Sequence, residues 1–148
     1  MIKFEKCKGY EDIATIPKRA TKGSAGYDFY NTDKTVVVPA HGTARIVTGI
    51  KAQMEKDMVL LIYIRSSLAI KFGLMLSNCV GVIDYDYYNN SDTEGNIIIK
   101  LYNTSDNDVF IEPYERVAQG IFTKYYITDD DNTTEERTGG VGSTGRKW

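Results

Sequence analysis

The chain has 148 residues, a formal net charge of −2, and 42% hydrophobic and 26% charged residues. This length fits one domain with one core, and no apolar run approaches the roughly 20 residues that a membrane-spanning helix needs. The lack of a basic excess argues against binding to a long nucleic acid, although a few well-placed donors would suffice for a small phosphorylated ligand.

Short apolar or alternating runs, bounded by Gly, Pro, Asn and Asp, recur along the chain and predict an all-β sandwich or barrel. The predicted strands are residues 2–6, 26–30, 35–38, 43–51, 58–64, 96–102, 109–111 and 116–126. Residues 39–42 predict a turn, and residues 66–72 predict one short helix. Hydrophobic residues nearly disappear after residue 127, which indicates a flexible tail. The chain therefore divides into a β domain, residues 1–127, and a C-terminal tail, residues 128–148.

The first ten residues alternate charged and apolar side chains and lack the continuous apolar stretch of a secretory signal. We therefore expect a cytoplasmic protein, in the host cytoplasm if a phage or virus encodes it. Cys7 and Cys79 have no CxxC spacing, so reduced thiols are expected rather than a disulfide or a thiolate metal site.

Arg65, Ser66 and Ser67 follow the strand predicted over residues 58–64 and begin the predicted helix. A cation, two hydroxyls and the free amides of a helix N-terminus can bind an anion such as phosphate. An ordinary helix N-cap explains the same residues, and the motif taken alone favours that explanation.

Residues 77–88 predict a hairpin with Gly81 in mid-run, where a nucleobase could approach the backbone. Asp84 and Asp86 are two residues apart, so on a strand both would point the same way. They could then orient water beside a metal-bound phosphate. In isolation, two surface aspartates are the commoner explanation. Tyr87 could stack on a sugar or base, although tyrosine is also an ordinary strand residue.

The tail contains a glycine-rich run, residues 140–145, that formally matches GxGxxG. No helix follows it and the Lys-Ser/Thr pair of a P-loop is missing, so neither a dinucleotide fingerprint nor a P-loop is predicted. Together with Arg137, Arg146 and Lys147, its amides and hydroxyls could instead fold over phosphates when a ligand binds. An idle disordered tail explains this run, taken alone, more simply.

Taken in chain order, five segments resemble the five motifs of the trimeric dUTPase family, and the resemblance spans nearly the whole chain. The segments are residues 25–28 (AGYD), 65–69 (RSSLA), 81–87 (GVIDYDY), 115–119 (ERVAQ) and 137–145 (RTGGVGSTG). One such motif is modest evidence, whereas five in order are strong. The resemblance implies a distorted β-barrel or jelly-roll-like subunit in a homotrimer, with active sites shared between subunits and closed by the C-terminal tail.

The resemblance also implies hydrolysis of dUTP to dUMP and pyrophosphate, which limits uracil incorporation into DNA and supplies dUMP for thymidylate synthesis. Asp84 is then the expected catalytic residue, which would bind the deoxyribose 3′-hydroxyl and position the attacking water. Mg²⁺ is the expected cofactor, held mainly by the triphosphate and water, with Asp28 as a distant candidate ligand. The expected partners are dUTP, dUMP and further copies of the chain, without nucleic acid or membrane.

The other residues that the resemblance assigns are expected to bind substrate. The hairpin ending at Ile83 would pair its backbone with the uracil edge, and Tyr87 would exclude a 2′-hydroxyl. The expected substrate-binding residues are Arg65, Ser66, Ser67, Asn78, Gly81, Val82, Ile83, Tyr87, Ile98, Gln119, Arg137, Val141, Gly142 and Ser143.

Three features depart from the family pattern. Ser67 stands where a glycine is usual, and residues 88–94 form an insertion that is expected to protrude and to contact either a partner or nothing. Val141 stands where an aromatic residue commonly stacks on uracil, and the spacing from Arg137 to Gly139 is one residue shorter than usual. We therefore expect a weaker affinity for dUTP than in relatives with the aromatic residue.

Two alternatives stay open. The segment at residues 65–69 also resembles the dCTP deaminases, which share the fold, but those enzymes place a catalytic glutamate where this chain has Lys100. The second alternative is a regulatory protein-binding module on a dUTPase scaffold, with the insertion as its contact surface.

Overall fold

Short β-strands make up most of the regular structure in a computed structural model, which describes residues 1–142, 144 and 145. The strands are β1 (Lys3–Lys6), β2 (Lys18–Arg19), β3 (Tyr27–Tyr30), β4 (Val36–Val38), β5 (Thr43–Val47), β6 (Ile50–Gln53), β7 (Met58–Ile64), β8 (Leu74–Leu76), β9 (Gly81–Asp84), β10 (Ile98–Asn103), β11 (Val109–Ile111) and β12 (Arg116–Lys124). A helix, α1, covers Ser66–Phe72, and a 3-10 turn covers Tyr85–Tyr87. The all-β prediction is confirmed.

The strands pair antiparallel in four sheets around one hydrophobic core. The largest sheet has the order β2-β3-β12-β7-β9, the next has the order β5-β10-β8, and β1-β6 and β4-β11 form two-stranded sheets. The apolar run of β7 lies between β12 and β9, which explains why its side chains are buried or half-buried. In the described part of the chain, the sheets do not join into one closed hydrogen-bonded barrel.

The strand predicted over residues 43–51 is two strands in the structure. Gly49 has a φ of 69°, in the left-handed region that favours glycine. A Cβ added there would lie 2.5 Å from the Tyr10 ring. The break allows β5 to pair with β10 while β6 pairs with β1 in another sheet. The prediction of one continuous strand is wrong because an apolar run does not reveal a change of sheet.

Strand β10 forms part of the floor of the site described below. Its buried side chains alternate with more accessible ones, so that Ile99 and Leu101 enter the core while Ile98 and Lys100 face outward. The sequence did not predict the short strands β2 and β8. No helix among the described residues is long and apolar enough to cross a membrane.

Candidate active site

A cavity of about 790 Å³ lies between β9, β10, the loop before β10 and the C-terminal segment, and we call it the large cavity. It brings together most of the predicted site residues, although they are far apart in sequence. The predicted residues that line it are Asn78, Gly81, Val82, Ile83, Asp84, Tyr87, Ile98, Arg137, Val141 and Gly142. Val141 is 78% exposed.

Arg137 joins the C-terminal segment to the wall of the large cavity. Its Nη2 donates to Asp84 Oδ2 at 2.7 Å, and its Nε donates to Asp86 Oδ1 at 2.8 Å. The hydrogen bond to Asp86, reinforced by the charges of both carboxylates, raises the pKa of Arg137 above its ordinary value despite partial burial. This guanidinium is therefore a fixed positive charge beside two carboxylates.

The two aspartates do not share a strand. Strand β9 ends at Asp84, and Asp86 lies in the 3-10 turn that follows. The prediction that both carboxylates point the same way along a strand is therefore wrong in its geometry. They converge because the turn redirects the chain and Arg137 binds both of them.

Tyr87 is held in one orientation at the edge of the cavity. Its side chain is 7% exposed, and its hydroxyl donates to the Asn96 carbonyl oxygen at 3.0 Å. The Thr93 hydroxyl donates to the Tyr87 oxygen at 3.2 Å, and the Arg137 guanidinium carbon lies 5.8 Å from the ring centroid. The ring is thus a rigid wall rather than a side chain free to rotate.

Gly81 is required by strand packing. It pairs with Ile62 of β7, and a Cβ added to it would lie 3.0 Å from the Ile62 Cβ. In this structure, the absence of a side chain at Gly81 therefore allows the neighbouring strand β7 to approach closely. Approach of a nucleobase to the same hairpin stays a prediction.

A second pocket, of about 160 Å³, holds other predicted residues, and we call it the small pocket. It is lined by Ala20, Ser24, Gly26, Asp28, Arg65, Ser66 and Gln119. Ser67 is half-buried in the first turn of α1 and, within the described chain, lines neither pocket.

Asp28, the candidate metal ligand, has two guanidinium partners. Its Oδ1 lies 3.5 Å from Arg65 Nε, and its Oδ2 accepts a hydrogen bond of 3.3 Å from Arg116 Nη1. The carboxylate is buried, so a cation approaching it would have to compete with both arginines. This arrangement favours a role in holding Arg65 at the pocket.

Asp84 and Arg65 lie toward opposite ends of β7. Asp84 pairs with Val59 near the start of β7, whereas Arg65 directly follows the end of that strand. About six residues of extended chain separate these points, or roughly 20 Å. Asp84 and Arg65 of one chain therefore do not converge on one small group.

Sequence reasoning missed several residues that line the large cavity. They are Arg45, Ser77, Asp92, Thr93, Lys100 and Thr144. The alternation of β10 could have identified Lys100, which faces the same side as Ile98 and pairs across the ladder with Arg45. Asp92 and Thr93 belong to the insertion, for which the family pattern provides no counterpart. Ser143, Arg146 and Lys147 lie outside the described residues.

Comparison with known proteins identifies the family. The family model for dUTPase matches residues 12–145. The chain belongs to the dUTPase family. The resemblance found in the five sequence segments is confirmed.

Individual dUTPases match over most of their length. The deoxyuridine 5′-triphosphate nucleotidohydrolase of Lactococcus lactis is 46% identical over 146 residues, which cover 96% of each chain. The crystal structure of dUTPase from Streptococcus mutans has a TM-score of 0.80 and 41% identity, covering 86% of this chain and 98% of that one. A mutant dUTPase from phage phi11 of Staphylococcus aureus, described with a structural Mg(II) ion, shares the fold at 20% identity, with a TM-score of 0.73 and coverage of 91% and 97%.

The dUTPase segments divide between the two pockets. Residues 25–28, 65–69 and 115–119 contribute to the small pocket, whereas residues 81–87 and 137–145 contribute to the large cavity. Each pocket therefore contains residues from only some of the five dUTPase segments.

Proposed function

We propose that this dUTPase-family protein hydrolyses dUTP to dUMP and pyrophosphate, with Asp84 positioning the water that attacks the α-phosphorus. The placement of Asp84 carries the proposal. Its half-exposed carboxylate lies at the end of β9 on the wall of the large cavity, paired with Arg137. A carboxylate in this position can orient water and accept its proton. The water oxygen bonds to the α-phosphorus, and the bond to the pyrophosphate leaving group breaks.

The walls of the large cavity suit a deoxynucleoside. Residues 78–83 offer backbone groups next to the apolar side chains of Val82 and Ile98. In the proposed complex these backbone groups pair with the uracil edge, and the fixed Tyr87 ring lies against the sugar, where a 2′-hydroxyl would collide. Selectivity then comes from shape together with satisfied polar groups. Val141 would cover the base with less contact area than an aromatic side chain.

We further propose that the active site is shared in a homotrimer. The distance of roughly 20 Å between Asp84 and Arg65 along the sheet supports this arrangement, because both can serve one triphosphate only if they come from different copies. Arg65, Ser66 and Gln119 of one subunit would then hold phosphates of a substrate bound in the large cavity of another. The roles of Ser67, Gly142 and Ser143 in phosphate binding stay proposals of the same kind.

Mg²⁺ is the proposed cofactor. Among the described residues, no group of three or more His, Cys, Asp or Glu side chains is arranged to hold a metal ion. This donor set fits an ion held mainly by substrate oxygens and water, as Mg²⁺ commonly is. When bound, the ion would neutralise triphosphate charge and favour an in-line arrangement at the α-phosphorus. Asp84 and Arg137 would still orient the water and the phosphates.

The two alternatives are less well supported. Lys100 lines the large cavity at the position where a deaminase would need its glutamate, and its ammonium cannot act as a carboxylate base. The insertion contacts the C-terminal segment of its own chain, which lessens the need for a regulatory protein partner. A cytoplasmic location stays a prediction.

The test is to incubate the purified protein with dUTP, dCTP, dTTP and UTP in magnesium and to quantify nucleotides and pyrophosphate. We expect dUMP and pyrophosphate from dUTP alone, and loss of turnover when the metal is chelated. Asp84→Asn should lower kcat by roughly 100- to 10,000-fold. Its amide oxygen can still accept the Arg137 hydrogen bond, so the fold should be retained.

Asp12→Asn is the matched control, since Asp12 is an exposed carboxylate that lines neither described pocket. Full activity of Asp84→Asn would refute the assigned role of Asp84. Conversion of dCTP to a uracil nucleotide would support the deaminase alternative. If none of the four nucleotides is converted, the result would support the alternative of a regulatory protein-binding module.

A further inference from the structure

The insertion, residues 88–94, is a tightly tied loop. The Lys51 ammonium donates to Asn89 Oδ1 at 2.7 Å and to Glu94 Oε1 at 2.6 Å. The backbone N–H of Lys8 donates to Glu94 Oε2 at 3.0 Å, and the Tyr88 hydroxyl donates to the Glu5 carboxylate. These bonds attach the base of the insertion to β1 and β6, so its position is fixed by the main body of the protein.

The tip of the insertion is ordered by Asn90. Its side-chain nitrogen donates to the Tyr87 carbonyl oxygen at 2.7 Å. Its side-chain oxygen accepts from the backbone N–H groups of Asp92 and Thr93 at 3.1 and 2.9 Å. Such local side-chain to backbone bonds define a turn without support from a sheet. The tip therefore presents Ser91, Asp92 and Thr93, which we call the seat, in a preset arrangement.

The seat binds the backbone of the C-terminal segment. The Gly140 N–H donates to Asp92 Oδ2 at 2.8 Å, and the Ser91 hydroxyl donates to the Thr138 carbonyl oxygen at 3.2 Å. A Cβ added to Gly140 would lie 2.9 Å from Thr93 Cγ2. Glycine at position 140 is thus required by close contact with the seat, and the bond to Asp92 is strengthened by the carboxylate charge.

This contact determines where the C-terminal segment crosses the large cavity. Arg137 directly precedes Thr138 and bonds to Asp84 and Asp86. Asp92 lines the cavity together with Gly140, Val141, Gly142 and Thr144. The segment is therefore attached at two places, once at the aspartates and once at the insertion. The expectation that the insertion could contact nothing is wrong, because it contacts the chain's own C-terminal segment. A contact with a partner stays a prediction.

We propose that the C-terminal segment closes over the large cavity by binding the seat at the tip of the insertion, and that Asp92 is the positioning residue that holds Gly140 there. The part of this proposal that concerns turnover rests on the proposed dUTP hydrolysis. The same pairing would form if the C-terminal segment were exchanged between copies, since every copy carries an identical seat.

The direct test is hydrogen–deuterium exchange at the Gly140 amide in nucleotide-free protein. Asp92→Ala removes the acceptor and should speed exchange about 10- to 100-fold, the usual effect of losing a hydrogen bond to a charged group. Asp92→Asn keeps an oxygen acceptor and should restore much of the protection. Asp12→Ala, which removes an exposed carboxylate elsewhere, should leave exchange unchanged.

A second variant pair approaches the same contact from the C-terminal segment. Gly140→Ala places a methyl group against Thr93 Cγ2 and should release the segment, as reported by faster exchange over residues 138–142. Adding Thr93→Ser removes that methyl while keeping the hydroxyl, and should recover part of the protection. A purely structural defect at either position would not be corrected by the second substitution.

Steady-state kinetics connect the seat to the reaction. Asp92→Ala should raise KM for dUTP more than it lowers kcat, because it makes closure less favourable without removing a group that touches the reacting atoms. If the Gly140 amide is equally protected from exchange in wild type and in Asp92→Ala, the proposal that Asp92 holds Gly140 is wrong. If the exchange rates change as expected but no nucleotide is hydrolysed, the proposed contact between the seat and the C-terminal segment is supported and only the proposed function is contradicted.

Discussion

Gly26 illustrates how one missing side chain shapes the small pocket. A Cβ at this position would lie 2.6 Å from Gln119 Oε1 and 3.0 Å from Gln119 Cβ. The glycine therefore allows Gln119 of β12 to lie across β3, next to Arg65 and Ser66. Close packing of this kind tolerates no added methyl group unless the Gln119 side chain shifts.

Gly26→Ala is expected to destabilise the fold by about 1–3 kcal/mol, typical of overpacking, and to displace Gln119 from the small pocket. Thermal unfolding and KM for dUTP should both change. Gly23→Ala is the matched control, because an added Cβ there meets no atom within 4 Å. If the two variants had the same melting temperature and KM, the contact with Gln119 would not constrain the site.

Sequence motifs predicted most of the residues that line the large cavity, but not their local geometry. Asp84 was predicted to be catalytic from its motif, and it lies on the cavity wall, yet nearby Asp86 lies in a 3-10 turn rather than on the strand. Lys100 was recognised only as an argument against deamination, although it lines the large cavity. Asp92 was missed because its role depends on a contact with Gly140, 48 residues away. A contact of this range leaves no periodic signal.

At the scale of elements, segments with a clear boundary residue were the most predictable. The bounds of β7, β11 and α1 agree with their predictions, because apolar runs ended by Arg65, Glu112 and Gly73 have clear limits. Strands β2 and β8 were missed, since β2 consists of two charged residues and β8 begins at Leu74, directly after the glycine that ends α1. The insertion was recognised by comparison with the family, but its fold depends on Lys51 in β6.

The Lys51–Glu94 pair should make the stability of the insertion depend on pH. The hydrogen bond from Lys51 lowers the pKa of Glu94 below its ordinary value of 4.5. A carboxyl group whose pKa is lowered by folding stabilises the folded state fully above pH 4.5, and this contribution is lost as pH falls through the lowered pKa. Burial opposes the charge on Lys51, but the hydrogen bond and charge of Glu94, together with Tyr88 and Cys7, outweigh it and raise the Lys51 pKa, so Lys51 stays charged at neutral pH.

Glu94→Gln is therefore expected to lower stability at pH 7 by on the order of 1 kcal/mol, a modest value because Glu94 is partly exposed and screened by solvent. The difference from wild type should shrink as pH falls below 4.5. Melting temperatures measured from pH 3 to pH 8 check this, with Glu11→Gln as a surface control. A difference that persists unchanged at the lowest pH would show that the ion pair is not its cause.

At the scale of the whole molecule, each chain divides the predicted site residues between two separate pockets. The large cavity contains Asp84 and Arg137, whereas the small pocket contains Arg65 and Gln119. Large apolar side chains also remain exposed on one chain, including Ile70 at 83% and Phe110 at 57%. Exposed apolar surface of this kind is commonly covered by subunit contacts. Assembly into a symmetric oligomer would complete the site and cover such surface.

The shared site can be tested by mixing two inactive variants, Asp84→Asn and Arg65→Ala, unfolding them together and refolding them as one population. If each site takes Asp84 from one subunit and Arg65 from another, about a quarter of the sites in an equal mixture should contain both intact residues. dUTP hydrolysis should then recover to about a quarter of the wild-type rate, although neither variant is active alone. If both residues serve the same site within one chain, every site keeps a defect and the mixture stays inactive. Wild-type protein that has been unfolded and refolded in the same way gives the reference rate of dUTP hydrolysis. Size-exclusion chromatography with light scattering shows whether the mixed population has the mass of a trimer.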